Sequence, residues 1–297
     1  MNFVSKYESL FNEKLIKIMK KKSLAYRISD ETIATSPYSV AFGMRRDSEN
    51  DKFIVEKSDL PLKLYNIKTS FTKEVIQDLE HIFKDENAVR DILVKYVEND
   101  LIYEIDKDFL TLLKNRAAQK DKLTIHGDDI KQRTETAALM ILIRIHKILN
   151  DFKFSDNRSE IGFAVVNSDV GALIAAALSN RTSDNENDDS PSYIGRLGGI
   201  DFYIDFTNDN SGTDAVICGM KGNGITEGSV QLQRYPEMQS LKAIDAASGE
   251  PTVNYFFRVG MAINPIDNYF VNNGEESQFV GKFDVDVSDL EPFKVVQ

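Results

Sequence analysis

The chain has 297 residues and a mass of 33.6 kDa, about twice the length of an average domain, so it holds either one large domain or two to three lobes around a shared core. A composition of 42% hydrophobic and 28% charged residues excludes collagen-like, mucin-like and wholly disordered chains. With 36 Lys+Arg against 47 Asp+Glu the net charge of −11 repels nucleic-acid phosphates, and the single cysteine, Cys218, excludes an intrachain disulfide and a cysteine-rich zinc site.

Residues 1 to 22 space Phe3, Tyr7, Leu10, Phe11, Leu15 and Ile18 as a helical stripe among lysines. This predicts a basic amphipathic arm that packs on its own or a neighbouring subunit. No uninterrupted apolar run of signal-peptide length follows Met1. The most apolar window, Ala137 to Leu149, contains Arg144, His146 and Lys147 and falls short of the roughly 20 residues of a bilayer helix. Export and a membrane span are therefore not expected, and a reducing compartment fits.

From Ser36-Pro37 to Phe71 the extended pieces 38–44, 53–56 and 62–69 surround the polar run Arg45 to Lys52, a pattern that predicts a long hairpin with a charged tip. A two-stranded ribbon is marginal alone, so this one needs a partner surface. Thr72 and Glu74 open a helix with the stripe Val75, Ile76, Leu79, Ile82 and Phe83. A second helix from near Asn87 repeats apolar residues to Leu113 without Gly or Pro, a rod of about 40 Å. Its acids Glu98, Asp100, Glu104, Asp106 and Asp108 lie beside Lys95 and Lys107 and read as a solvated, salt-bridged face.

A connection from Gln119 to Arg133 leads to a helix from Glu135 to Phe152. Ile161 to Val166 then reads as a covered strand, and Ser168 as the cap of a small-residue helix from Asp169 to Leu178. Beyond a polar acidic loop, 180–192, strands dominate: 200–206, 215–219, 229–233, 252–264 and 278–287. Gly, Asn, Asp and Pro punctuate them as in antiparallel hairpins.

Signals for chemistry are sparse. His81, His126 and His146 lie in separate segments without metal-ligand spacing. Gly219-Met220-Lys221-Gly222-Asn223-Gly224 follows a strand but lacks the order of a dinucleotide loop and the Lys-Ser/Thr of a phosphate loop. Asp184, Glu186, Asp188 and Asp189 miss the calcium-loop pattern, with Asp189 and Gly195 where Gly and Glu are required. No catalytic residue, cofactor or metal site is expected, and the chain does not read as an enzyme.

Two stretches resemble the major capsid protein of T-even-like tailed bacteriophages. One runs from Phe53-Ile54-Val55-Glu56-Lys57 to Glu74, Gln77-Asp78-Leu79 and the long helix. The other takes in Gly219, Lys221, Gly222, Gly228, Pro236 and Gln239, and closes on Arg258-Val259-Gly260-Met261-Ala262-Ile263-Asn264-Pro265. Glu160 to Ala177 and Leu197-Gly198-Gly199-Ile200 are similar to elements between them, so the order is shared along most of residues 50 to 270.

The resemblance implies an α+β fold of the tailed-phage capsid type: an N-terminal arm (1–36), an extended loop (37–70), a peripheral lobe with a spine helix (71–165 and 256–297) and an axial lobe (166–255). It implies a shell protein of the virion, assembled in the host cytoplasm. Copies would join in hexamers and pentamers of an icosahedral head around double-stranded DNA, without sequence-specific recognition and without a membrane. Scaffolding, portal and decoration proteins are the further partners such a shell admits. Arg45, Arg46, Asp47, Glu49 and Asp51 at the hairpin tip are the candidate inter-subunit contacts. A pentameric vertex protein or a nanocompartment shell of the same fold is the neighbouring alternative; a soluble enzyme binding phosphate at 219–224 is the alternative from another class.

Overall fold

The computed structural model describes residues 14–34, 38–47, 52–70, 81–82, 86–125, 130–152, 161–179, 190–207, 215–221, 228–235, 239–244, 251–272 and 274–286. The predicted helix from Thr72, apart from residues 81–82, and the acidic loop at 184–189 lie outside them.

The centre of the molecule is a seven-stranded mixed sheet. Its main order is β5 (Ala118–Gln119), β14 (Val280–Asp286), β10 (Ala215–Met220), β7 (Gly162–Val166), β9 (Ile200–Ile204) and β8 (Tyr193–Leu197), with β6 (Leu123–Thr124) also on β14. Side chains alternate across a strand, and here both faces are covered. Phe163, Val165, Tyr203, Ile217 and Val280 face one core, while Ala164, Val166, Phe202, Cys218 and Phe283 face another. This accounts for the continuous apolar run of β7, in which every residue is buried.

Two helices cover the second face: α3 (Ile130–Asp151) and α4 (Ser168–Ser179). The cap of α4 is Asn167 rather than the expected Ser168, since Asn167 Oδ1 accepts the Val170 N–H at 2.9 Å. Gly198 (φ 57°) and Gly199 (φ 81°) turn β8 into β9 with two successive left-handed residues, a geometry glycine adopts without strain.

The first face looks onto the long helix α2 (Glu86–Arg116), whose 31 residues span about 46 Å. Beyond α2 lies a five-stranded sheet of β1 (Asp30–Ile33), β11 (Val230–Arg234), β13 (Pro251–Ile263), β12 (Gln239–Ile244) and β4 (Lys63–Ser70). β2 (Tyr38–Asp47) and β3 (Lys52–Pro61) form the predicted hairpin, a separate two-stranded sheet with ten register pairs from Tyr38↔Pro61 to Asp47↔Lys52.

One expectation changes. The strands of the second half are not all antiparallel, because β7 pairs parallel with β9 and β1 parallel with β11. Strand pairing runs across residues 165 and 255: β10 bonds to both β7 and β14, and β13 is continuous from Pro251 to Ile263. The described part of the arm packs on its own chain. Residues 14–22 are helical, Leu15 and Met19 are fully buried, and with the short helix α1 (Leu24–Ile28) they join the core around α2.

Candidate inter-subunit surfaces

The hairpin has two unlike faces. Ala41, Gly43 and Leu60 are buried on the inner one. Gln231 Nε2 donates to the Phe42 carbonyl at 2.6 Å and Gln233 Nε2 to the Val40 carbonyl at 3.1 Å, so β11 grips the strand by its backbone. Gly260 of the Arg258-to-Pro265 motif and Gly43 of the hairpin itself make room for this seat. A Cβ on Gly260 would lie 3.0 Å from Leu60 Cγ, and a Cβ on Gly43 would lie 2.6 Å from both Asn264 Oδ1 and Ile266 Cγ1. The hairpin base is thus seated on its own chain, and the need for a partner is confined to the other side.

That outer side is apolar and wet. Phe42 is 52% exposed and Val55 59% exposed, with Lys57 and Asp59 exposed beside them. Aromatic and aliphatic side chains left in water next to charges are the composition of an interface core with a polar rim.

Of the tip residues singled out from sequence, Arg45, Arg46 and Asp47 lie on β2 and pair in register with Ile54, Phe53 and Lys52. Their side chains, and Glu49 and Asp51 altogether, lie outside what is described. Phe42, Val55, Gln231 and Gln233 were not anticipated. The period-2 polar alternation of Val230-Gln231-Leu232-Gln233 was the available signal for the two glutamines.

The arm is held by two acids of α2 that were expected in solvent. Asp106 is 2% exposed and accepts three donors: Ser23 Oγ at 2.6 Å, Leu24 N at 2.9 Å and Ala25 N at 3.0 Å. Burial raises its carboxyl to about 6 even though all three hydrogen bonds act to lower it. Glu98, 3% exposed, receives Lys22 Nζ at 2.8 Å.

Several polar groups weighed from the sequence make structural contacts. Lys221 of the glycine turn donates to Asp201 at 3.0 Å, and Arg196 grips the same carboxylate through Nε at 2.7 Å. Burial alone would raise the Asp201 carboxyl, but Arg196 and Lys221 outweigh it and hold it below the usual range. Residues 222–227 of that turn lie outside the described residues, as does His126. His81 is exposed, and His146 Nε2 lies 3.0 Å from the Gly198 carbonyl. Cys218 is fully buried, and burial pushes its thiol up to about 12, so no thiolate forms near neutrality. Among the described residues no group of three or more His, Cys, Asp or Glu could hold a metal, and no helix is long and apolar enough to cross a membrane.

Residues 11–285 match the family model described as "Major capsid protein Gp23". No curated protein sequence matches the chain. Solved structures share the fold at low identity. A virus-like particle protein from Pyrococcus furiosus has TM-score 0.54 and 11% identity, over 93% of this chain and 99% of that one. Mycobacterium phage Che8 gives TM-score 0.51 and 12% identity over 84% and 85%. The capsid of Myoviridae phage XM1 gives TM-score 0.51 and 10% identity over 89% and 92%.

Proposed function

The chain belongs to the family of the major capsid protein Gp23, and on that premise we propose that its copies close into an icosahedral head of hexamers and pentamers around double-stranded DNA. It is a structural capsid protein of a bacteriophage and adopts the tailed-phage capsid fold, and its self-association into a shell follows from that role. Its contribution is mechanical, with no catalysis assigned to any residue. Assembly in the host cytoplasm, with portal, scaffolding and decoration proteins as partners, belongs to the same reading. So does DNA held without sequence preference, in keeping with the net charge of −11.

In this reading residues 1–36 are the arm, 37–70 the extended loop, 71–165 with 256–297 the peripheral lobe that carries α2, and 166–255 the axial lobe.

One observation carries the shell contact: the hairpin is anchored on its inner side and presents Phe42 and Val55 on its outer side. A rigidly seated ribbon with an uncovered apolar face suits obligate contact with a sibling, and such interfaces commonly bury about 2,000–5,000 Å². Arg45, Arg46, Asp47, Glu49 and Asp51 at its end would add polar contacts that fix register between copies. The test is charge reversal of Arg45 and Arg46 to Glu, with shell formation followed by electron microscopy and folding by thermal melting. The reading predicts folded subunits that assemble poorly; normal shells would remove the tip from the interface.

A further inference from the structure

The arm segment closes on α2 through a small set of contacts around one carboxylate. Ser23 interrupts the helix between residues 14–22 and α1, and its extended backbone (φ −75°, ψ 130°) turns the Ser23 hydroxyl and the Leu24 and Ala25 N–H groups onto Asp106. All three groups are donors, so the two Asp106 oxygens are the acceptors the break requires. At the far end, Ser29 is again extended (φ −84°, ψ 152°), and β1 stays on β11 through register pairs from Asp30↔Gln231 to Ile33↔Arg234. Two further tethers lie near the break: Lys22 Nζ to Glu98, and Ser190 Oγ to the Lys22 carbonyl at 2.9 Å.

We propose that Asp106 is the latch of a reversible strap: residues 14–28 close over α2 and open from it as one piece, hinged at β1, ahead of the rest of the fold. Leu15, Met19, Leu24, Ala25 and Ile28 favour the closed position because all five are buried against the core. The Tyr26 hydroxyl opposes it, since it is buried there with no hydrogen-bond partner among the described residues. Opposed contributions confined to one segment with extended breaks at both ends describe a unit that opens locally.

Charge makes the latch sensitive to acidity. Around the break, Lys22 of the strap meets Glu98 of α2, and Asp106 acts on Tyr26 of the strap, which Glu31 of β1 and Arg234 of β11 also face. Lys22 is paired with Glu98 and Arg234 with Glu31, and no ion pair reaches Asp106 among the described residues. Closing therefore buries an uncompensated carboxylate, whose group is pushed up to about 6 from 3.8. A group raised on closing takes up a proton, so the strap holds most firmly in mild acid and loosens as pH rises through that window. Between pH 5.0 and 7.5 the closing equilibrium should fall about tenfold. The latch is a property of the single chain and does not require that copies assemble.

Deuterium exchange on the full-length protein at pH 5.0 and 7.5, corrected for intrinsic rates, tests this. The expected result is about tenfold weaker protection of residues 14–28 at the higher pH, with β7 and β10 unchanged. In Asp106→Asn, which cannot ionise, that pH dependence should vanish. Exchange of residues 14–28 only at the rate of β7 and β10, or an equal pH dependence in Asp106→Asn, would overturn the latch. If Asp106→Asn does not fold, Ser23→Ala removes one of the three donors and must speed strap exchange alone; an unchanged rate would equally overturn it.

Discussion

Gly43 of the hairpin and Asn264, just beyond the long strand β13, meet so closely that a Cβ at position 43 would stand 2.6 Å from the Asn264 Oδ1. Asn264 cannot easily yield, because its Nδ2 donates to the Gly228 carbonyl at 3.0 Å and its Oδ1 accepts Ile266 N at 3.2 Å. Gly43→Val should therefore lift the hairpin base from its seat, at a cost of about 1–3 kcal/mol in overpacking. Thermal unfolding would register the loss, and shell yield should fall with it, because a displaced ribbon presents Phe42 and Val55 at the wrong angle. A melting temperature equal to that of the parent chain would show that the seat tolerates a side chain.

Phe42 and Val55 point away from their own chain, so replacing both with Glu should leave the fold nearly as stable as before. Surface substitutions away from packed contacts usually change stability by within about 0.5 kcal/mol. Association should suffer far more, since apolar anchors at an interface each cost about 2 kcal/mol or more when lost. Sedimentation of the double variant should show free subunits where the parent forms large assemblies.

Leu15 is fully buried against the core around α2. Leu15→Ala should cost about 2–5 kcal/mol if that pocket forms in the unassembled subunit. Denaturant unfolding of unassembled protein measures this. A change below about 0.5 kcal/mol would mean that the segment leaves its own chain in solution.

The Asp201 carboxylate joins the β8–β9 turn to the end of β10 through Arg196 and Lys221. Asp201→Asn should cost about 1–3 kcal/mol near neutrality, because a buried acceptor of charge-assisted hydrogen bonds is lost. A carboxyl held below its usual range adds stability above the ordinary carboxylate pKa, and that stability disappears as pH falls through the lowered value. The difference in melting temperature between parent and variant should thus be full at pH 6 to 7 and shrink below about pH 4.

What sequence revealed and what it hid divide along the range of the interactions. The rod at residues 86–116, the hairpin and the buried strand at 162–166 were legible because each is written in local periodicity. The parallel pairs β7–β9 and β1–β11 were not, since partner choice depends on crossovers that local pattern does not encode. Glu98 and Asp106 sit among alternating charges, and only the strap folded against them takes them out of solvent. The tip arginines were legible as a charged turn, whereas the exposed pair Phe42 and Val55 looked like ordinary strand residues until β11 and Asn264 showed which side of the ribbon is inward.

The central claim is that copies of this chain enclose a volume. Electron microscopy of the purified full-length protein, alone and after co-expression with phage assembly factors, tests it most directly. Closed shells of uniform diameter, built of hexameric and pentameric units, are the predicted result. A monodisperse single chain under both conditions, folded and with its hairpin face open to solvent, would contradict it.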